Sequence, residues 1–325
     1  MKRKNLFISL LVKLFTVIFF TIIFCGYSGL RFCFGEAASR YKFLYDLSSN
    51  TSGIGSLNQP AGIAVDIAGN IYVADTVNSR VVVFDELGKI KLSFGKLGDK
   101  AGELNAPMAL IVDSKGEKVY VADSSNNRVQ VFKINGEFIS TIDLSKALSD
   151  KDRLVRPIGI AISSQGNIYI SDADNNYIRV YDSAGNFLFK FGGFGAEEGK
   201  LCLPVGLSID KKDNVYVVDM NNARLQIFDK EGKFLSKIGS PGDTKGSFGK
   251  PKSVYVDNKG VIYVSDGANL VIQAFDKQGN FIDLIGAEKE KELQFASPFG
   301  LSGYNNRLYI TDRWRNSVRV YEVKN

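Results

Sequence analysis

The sequence predicts an all-β fold, a six-bladed β-propeller built from four-stranded antiparallel blades. Three observations carry this prediction: a repeat of nearly constant period, an uninterrupted aromatic–Asp–aromatic register inside each repeat, and chain ends that complete one another. Helical solenoids are excluded because the apolar residues alternate with a period of two and because glycine is frequent, with 32 residues.

The period is marked by six prolines, which are spaced 47, 50, 47, 47 and 47 residues apart. Each proline opens a short apolar stretch such as "PAGIAVD", and a turn and a second stretch such as "IYVAD" follow. Two short apolar stretches around a turn predict an antiparallel pair, strands a and b of each unit. The prolines are Pro60, Pro107, Pro157, Pro204, Pro251 and Pro298.

The register of the second half of each unit is stricter. A tyrosine stands three residues before an aspartate, and a phenylalanine or tyrosine stands nine residues after it. Because no insertion interrupts this stretch, strands b and c form a hairpin with a single pairing, and strand d follows in stretches such as "KIKLSFG". The aspartates are Asp75, Asp123, Asp172, Asp219, Asp266 and Asp312.

The two chain ends complement each other. The sixth unit stops after strand c, in "SVRVYEVKN", whereas a spare strand, "YKFLYDL" at residues 41–47, precedes the first proline. We expect the spare strand to supply the fourth strand of the last blade, which would join the ring and leave no open blade edge. The sequence therefore predicts one domain over residues 41–325.

Residues 1–37, called the leader below, predict a membrane-targeting segment with an apolar helix. A basic start precedes a long apolar run, the arrangement of an export signal. The leader is either cleaved as a signal peptide, near Gly26–Ser28 or Gly35–Ala37, or kept as an anchor through residues 14–30, which would span about 25 Å. Both fates place the domain outside the cytoplasm, secreted, periplasmic or membrane-anchored, because the basic cluster stays inside.

Composition removes several classes of chemistry. The chain has no histidine, which excludes Ser-His-Asp and Cys-His mechanisms and His-ligated metals. Cys202 is the only cysteine beyond the leader, so no internal disulfide and no cysteine-rich zinc site can form there. The net charge is +6, but the leader holds five basic residues and one acid, which leaves 36 basic and 34 acidic residues, a net +2. Basicity is therefore no argument for nucleic-acid binding.

The six aspartates are better explained as framework residues than as a carboxylate ring. In three units an arginine stands five residues after the aspartate, and the two face each other across the hairpin, in the pairs Asp75–Arg80, Asp123–Arg128 and Asp219–Arg224. An asparagine three residues after the aspartate suits the left-handed conformation that such loops need. These are Asn78, Asn126, Asn175, Asn222 and Asn269.

Three units depart from this pairing. Tyr177 and Ser317 replace the arginine in the third and sixth units, where Arg179 and Arg319 follow two residues later. A shift of about 6.6 Å is too long for the same contact unless the side chain bends back. Val271 replaces the arginine in the fifth unit, so Asp266 is expected to lack an arginine from its own hairpin.

A second aspartate column, at the end of strand a, indicates turns rather than a metal ring. Each of these aspartates precedes a turn, where its carboxylate can accept a hydrogen bond from the backbone N–H two residues later. The residue spacing of a calcium-binding loop does not occur in the sequence. Neither a metal nor a cofactor is expected. The column comprises Asp66, Asp113, Asp210 and Asp257.

The repeated unit, "PAGIAVDIAGNIYVADTVNSRVVVFDELGKIKLSFG" and its five variants, resembles an NHL repeat. The resemblance covers about residues 41–325 and implies a secreted or membrane-anchored six-bladed NHL propeller. It is specific for the fold and weak for function, because propellers host unrelated activities. Some intracellular NHL propellers bind single-stranded RNA, but an extracytoplasmic domain of net charge +2 disfavours that ligand.

Arg313, Trp314 and Arg315 are the candidate binding residues, with Tyr177 as a further candidate. They lie in loops that a four-stranded meander brings to one face, and tryptophan and arginine dominate binding hot spots. The alternative is that Trp314, the only tryptophan, covers the gap between the last and first blades.

The sequence favours a non-catalytic, extracytoplasmic binding or scaffold module for a protein or a cell-envelope polymer. Two alternatives remain open. One is a hydrolase of the lactonase type with a carboxylate/Asn metal site on the central axis, which the mostly apolar strands a disfavour. Their only polar candidates are Ser208, Tyr255 and Ser302. The other alternative is a structural spacer without a ligand.

Overall fold

A computed structural model describes residues 40–48, 55–113, 115–147, 155–286 and 293–324. Within them 24 strands form six four-stranded antiparallel sheets, the blades of a propeller. The leader lies outside the described residues, so its predicted helix is not described. None of the helices within the described ranges is long and apolar enough to cross a membrane.

Blades 1 to 3 each follow the order a-b-c-d along the chain, because short turns connect neighbouring strands of a meander. Blade 1 comprises β2 (Ile63–Val65), β3 (Ile71–Asp75), β4 (Arg80–Phe84) and β5 (Ile90–Phe94). Blade 2 comprises β6 (Pro107–Val112), β7 (Lys118–Asp123), β8 (Arg128–Lys133) and β9 (Phe138–Asp143). Blade 3 comprises β10 (Pro157–Ile162), β11 (Ile168–Asp172), β12 (Tyr177–Tyr181) and β13 (Phe187–Gly192).

Blades 4 and 5 repeat this order, and blade 6 takes its outer strand from the other end of the chain. Blade 4 comprises β14 (Pro204–Ile209), β15 (Val215–Asp219), β16 (Arg224–Phe228) and β17 (Phe234–Ile238). Blade 5 comprises β18 (Pro251–Val256), β19 (Ile262–Asp266), β20 (Val271–Phe275) and β21 (Phe281–Ile285). Blade 6 comprises β22 (Pro298–Tyr304), β23 (Arg307–Asp312), β24 (Ser317–Val323) and β1 (Tyr41–Leu47), which pairs antiparallel with β24.

Three short 3-10 helices lie in the connections: Ser124–Asn126, Leu144–Ala147 and Met220–Asn222. The core lies between neighbouring blades. Strands b are buried except for the first residue of β7 and of β23, because each blade packs against two neighbours, whereas strands d stay partly exposed at the rim. Apolar residues that alternate along two packed sheets thus hold the ring together.

A glycine in strand a sets the distance between adjacent blades at the axis. A Cβ added to Gly159 would lie 2.1 Å from the carbonyl oxygen of Val205 in the next blade, and one added to Gly300 would lie 2.2 Å from that of Ala61. Hydroxyls bridge the same junctions: Ser171 Oγ donates to Val205 O at 2.7 Å. The glycine of "PIGIAIS" and "PFGLSG" is therefore required by close backbone approach.

Candidate functional site

The meander separates the connections into two faces. The b–c loops and the d–a connections open on one face, called the loop face, and the a–b and c–d turns open on the other, called the turn face. The described b–c loops span residues 76–79, 124–127, 173–176, 220–223, 267–270 and 313–316. The repeated aspartates are the last residues of strands b, directly before these loops. All six therefore lie at the loop face.

The three hairpin pairs predicted from the five-residue spacing form in the structure. Arg80 Nε lies 2.7 Å from Asp75 Oδ2, and the Nε of Arg128 and of Arg224 lies 2.8 Å from Asp123 and Asp219, respectively. The three carboxylates are fully buried. Each arginine stands directly opposite its aspartate in the antiparallel ladder, which explains why a fixed spacing selects this contact.

In the third blade the expectation that Arg179 is too distant is wrong. Its Nε donates to Asp172 Oδ2 at 2.7 Å, and both side chains are fully buried. Residues two apart on a strand share a face, and a long arginine spans the extra step. Gln130 and Gln226, at the equivalent position, also donate to their aspartates, at 3.2 and 3.1 Å.

Asp266 of blade 5 has no arginine among its described partners. Its carboxylate instead accepts the backbone N–H groups of Gly249 and Lys250 and the side chain of Asn269. In blade 6, Arg315 Nε lies 3.6 Å from Asp312. Arg319 Nε lies 3.3 Å from Asp46 of β1, which ties the outer strand to its neighbour.

The prediction that the third loop residue adopts the left-handed conformation is wrong. That conformation belongs to the fourth residue, such as Asn127 with φ 56° and Ala223 with φ 49°. The third residue uses its side chain instead: Asn126 and Asn222 each donate to the aspartate of their own hairpin at 2.8 Å. An amide near the carboxylate satisfies a buried acceptor that would otherwise cost free energy.

The paired arginines also brace the d–a connections, a role that sequence reasoning missed. Arg224 donates to the carbonyl oxygens of Ala196, Glu197 and Lys200 at 2.8 to 3.0 Å. Arg128 makes the same contacts to residues 99, 100 and 103. One guanidinium therefore links a buried carboxylate to a surface loop and fixes the backbone of that loop.

The second aspartate column caps turns, as predicted. Asp66 Oδ1 accepts the N–H groups of Ala68 and Asn70 at 2.9 and 2.8 Å. Asp210 makes the same pair of contacts with Lys212 and Asn214. These carboxylates stabilise the turn face and are committed to backbone donors.

Trp314 projects from the b–c loop of blade 6 with 73% of its surface exposed, so it does not plug the gap between blades. Its neighbours are held in place. Arg313 donates to Gln59 Oε1 of the adjoining connection at 3.0 Å, and Arg315 donates to Gln294 O at 2.9 Å. The two arginines therefore anchor a loop that presents the tryptophan to solvent.

Tyr177 lies in the third blade, across the ring from the Arg313–Arg315 loop, so the structure does not bring these candidates together. Its ring is half-buried, with Lys190 Nζ 4.2 Å from the ring centroid. A Cβ added to Gly193 would lie 3.2 Å from the ring, so Tyr177 packs against that backbone.

The sequence analysis missed further exposed apolar side chains on the loop face. Leu97 and Phe194, at the same position of two d–a connections, are 71% and 75% exposed. Val77 occupies the position of Trp314 in the loop of blade 1, which adjoins blade 6, and is 52% exposed. The repeat could have revealed them, because "FGKLG" and "FGGFG" place an apolar residue between turn glycines.

The central channel holds a cavity of about 260 Å³ lined by strands a of all six blades. Its wall is mostly apolar, as at Ile160, Ile162 and Leu207. Ser208 Oγ accepts a hydrogen bond from the backbone N–H of Val256 at 3.2 Å. Across the described ranges, no group of three or more His, Cys, Asp or Glu side chains is placed to share a metal ion.

The fold and the repeated Asp-centred hairpins define a six-bladed β-propeller made of NHL-type units. The chain belongs to the family described as 6-bladed beta-propeller, whose model matches residues 59–154 and 204–273. The NHL repeat model matches residues 154–181.

Known proteins share parts of the sequence or the fold. The chain is 27% identical over 156 residues to Protein brain tumor of Drosophila melanogaster, a match over 47% of this chain and only 14% of that protein. The virginiamycin B lyase of Staphylococcus aureus superposes with a TM-score of 0.63 at 13% identity, covering 87% of this chain and 99% of the lyase. A gluconolactonase of Xanthomonas campestris gives 0.62 at 13% identity, covering 87% and 98%. At these identities the two structures show a shared fold.

Proposed function

We propose that this protein is an extracytoplasmic, non-catalytic binding or scaffold module whose loop face receives a protein or a cell-envelope polymer. The supporting observation is the set of exposed apolar side chains on braced loops, Trp314, Phe194, Leu97 and Val77. Single exposed apolar residues are ordinary, but four on one face, in two pairs of equivalent positions, favour a contact surface.

Rigidity of the loops supports the same proposal. Arg128 and Arg224 each tie a surface connection to a buried aspartate, so Leu97 and Phe194 stand on backbone that is already ordered. A partner that meets ordered loops loses less conformational entropy on binding. Trp314, anchored by Arg313, has the size and amphipathic character of a hot-spot residue.

The cellular placement is part of the proposal and depends on the leader. An apolar helix in residues 1–37 would export the domain and, if kept, anchor it to the membrane. β1, the first described strand, pairs with β24 and forms the outer strand of blade 6.

The alternative is an enzyme of the lactonase or lyase kind with its site on the central axis. The fold shared with a gluconolactonase and a lyase favours it, but the channel wall offers hydroxyls rather than carboxylates or imidazoles. A stoichiometric metal in the purified protein that is lost when Ser208 and Ser302 become alanine would support this alternative.

A capture experiment tests the proposal. The full chain carrying an affinity tag, and its Trp314→Ala and Phe194→Ala variants, are used to recover partners from the envelope fraction. Leu87→Ala is the matched control, because Leu87 is 84% exposed but lies in a c–d turn on the turn face. We expect recovery to fall at least about tenfold for the two loop-face variants, the effect of losing a hot-spot side chain, and to stay unchanged for the control. Equal recovery by all four proteins would refute the proposal.

A further inference from the structure

The loop-face mouth of the central channel is bordered by two rings of six residues. The first ring follows the proline that opens each strand a, and the second follows the aspartate that ends each strand b. Residues of the second ring contact the next blade: Thr76 Oγ1 donates to Pro107 O at 2.8 Å. The first ring is Ala61, Met108, Ile158, Val205, Lys252 and Phe299, and the second is Thr76, Ser124, Ala173, Met220, Gly267 and Arg313.

Two of these twelve residues carry charge, and both charges are positive and sit on neighbouring blades. Lys252 of blade 5 lines the channel, and the polar contact of its Nζ is the soft sulfur of Met220 at 3.2 Å. The guanidinium of Arg313 of blade 6 lies 5.1 Å from the ring centroid of Phe299, another channel residue. Arg313 Nε is buried without a hydrogen-bond partner among the described residues.

The carboxylate near these cations, that of Asp266, is hydrogen-bonded to other groups. Asp266 is fully buried, and its two oxygens accept hydrogen bonds from Gly249 N, Lys250 N, Ala268 N and both the backbone and side-chain nitrogens of Asn269. No ion pair joins Lys252 or Arg313 to an acid within the ranges that the structure covers. Lys250 adds a third positive charge near them.

In the free protein these cations lie in an environment that disfavours their charge. Burial lowers the pKa of Lys252, the charges of Lys250 and Arg313 lower it further, and the charge of Asp266 raises it by less. Burial also lowers the pKa of Arg313. Two partly desolvated cations that repel each other weaken a fold unless anions compensate them. The nearby carboxylate, that of Asp266, also serves backbone and amide donors, so the arrangement favours an anionic ligand.

Gly267 makes room for the side chain of Lys252 at the mouth of the channel. A Cβ added there would lie 3.0 Å from Cε of Lys252, so a side chain at this ring position would crowd the lysine. The equivalent positions carry side chains in the other five blades. Gly267 has no left-handed backbone that would require glycine, so the glycine serves to accommodate the lysine side chain.

We propose that the mouth of the channel binds a carboxylate group, held by Lys252 Nζ and the guanidinium of Arg313. An apolar stem attached to the carboxylate would enter the channel against Met108 and Ile158, which line it. The carboxylate can belong to a free organic acid or to an acidic side chain of a macromolecular partner. The site does not depend on the proposed partner-binding function.

Titration calorimetry of the full chain in detergent tests the site with two probes, hexanoate and a glutamate-containing peptide with its glutamine counterpart. We expect a carboxylate probe to bind, and Lys252→Met and Arg313→Gln each to weaken it by about tenfold or more, the loss typical of a charge-assisted hydrogen bond. Lys212→Met, an exposed lysine on the turn face, should leave affinity unchanged.

Two further readouts separate binding from folding. Lys252→Met should raise the melting temperature without ligand, because it removes a desolvated charge. Gly267→Thr should weaken binding while both charges remain, because the new side chain would displace Lys252. Binding of hexanoate supports a free acid as the source, and binding of the peptide alone supports a partner's acidic side chain. Absence of binding by both probes, or affinity unchanged in Lys252→Met, would overturn the proposal.

Discussion

Arg224 is predicted to hold blade 4 and the preceding connection together, and Arg224→Met tests this role. The side chain donates to Asp219 and to three carbonyl oxygens of residues 196–200, and it is only 7% exposed. Methionine keeps most of the apolar packing but removes every one of these donors. The buried carboxylate of Asp219 then loses its cation.

Removal of one partner of a buried ion pair costs about 3 to 5 kcal/mol. Asp219 keeps three other donors, Cys202 N, Asn222 Nδ2 and Gln226 Nε2. We therefore expect the lower end, a loss of about 3 kcal/mol in the free energy of unfolding. Residues 193–203 should also exchange their amide hydrogens faster, because their carbonyls lose the brace.

Urea unfolding followed by circular dichroism gives the free energy, and hydrogen exchange with mass spectrometry reports the connection. Val271→Met is the matched control, because Val271 occupies the same position in blade 5 and makes no ion pair with Asp266. We expect it to cost less than about 1 kcal/mol. A loss below about 1 kcal/mol for Arg224→Met, with unchanged exchange in 193–203, would refute the brace.

Three further predictions concern stability. Gly300→Ala should lower the free energy of unfolding, measured in urea, by about 2 kcal/mol, because the new Cβ would lie 2.2 Å from a carbonyl oxygen of blade 1. Ala109→Gly, at the same position of blade 2, should lower it by about 1 kcal/mol. Equal losses would contradict the close approach of the two backbones. Tyr181→Phe should raise stability by about 1 kcal/mol, because the buried hydroxyl of Tyr181 has no partner among the described residues, whereas Tyr169→Phe should lower it, because that hydroxyl donates to a carbonyl at 2.8 Å. Burial raises the pKa of Tyr181 to about 12, above the value of about 10 in an unfolded chain, so stability should be full below pH 10 and decline above it, and Tyr181→Phe should reduce that decline in alkaline melting curves.

The repeat made the fold predictable from the sequence. Six copies with a fixed Tyr–Asp–aromatic register leave one strand pairing, and the pairs Asp75–Arg80, Asp123–Arg128 and Asp219–Arg224 follow from cross-strand geometry. Periodicity reports which residues face one another within a blade, so contacts of this kind can be read from spacing.

Contacts between blades and loops were not predictable in the same way. The long side chain of Arg179 reaches Asp172, although the two-residue shift along the strand predicts that the distance is too great. The sequence predicts left-handed backbone at the third residue of the b–c loop, but the fourth residue adopts it. Asparagine suits both left-handed backbone and side-chain hydrogen bonds, and Asn126 makes the hydrogen bond to the aspartate. The positive pair at the channel mouth depends on where two long side chains reach across a blade boundary, which the repeat spacing does not report.

Site-specific photo-crosslinking in the cell shows whether the loop face contacts a partner. A photoreactive phenylalanine analogue replaces Trp314 or Phe194 on the loop face, and Leu87 or Ile67, both exposed, on the turn face. Because a partner would contact the loop face, we expect one shared adduct from both loop-face positions and none from the turn face. Adducts only from the turn face, or from neither face, would contradict it.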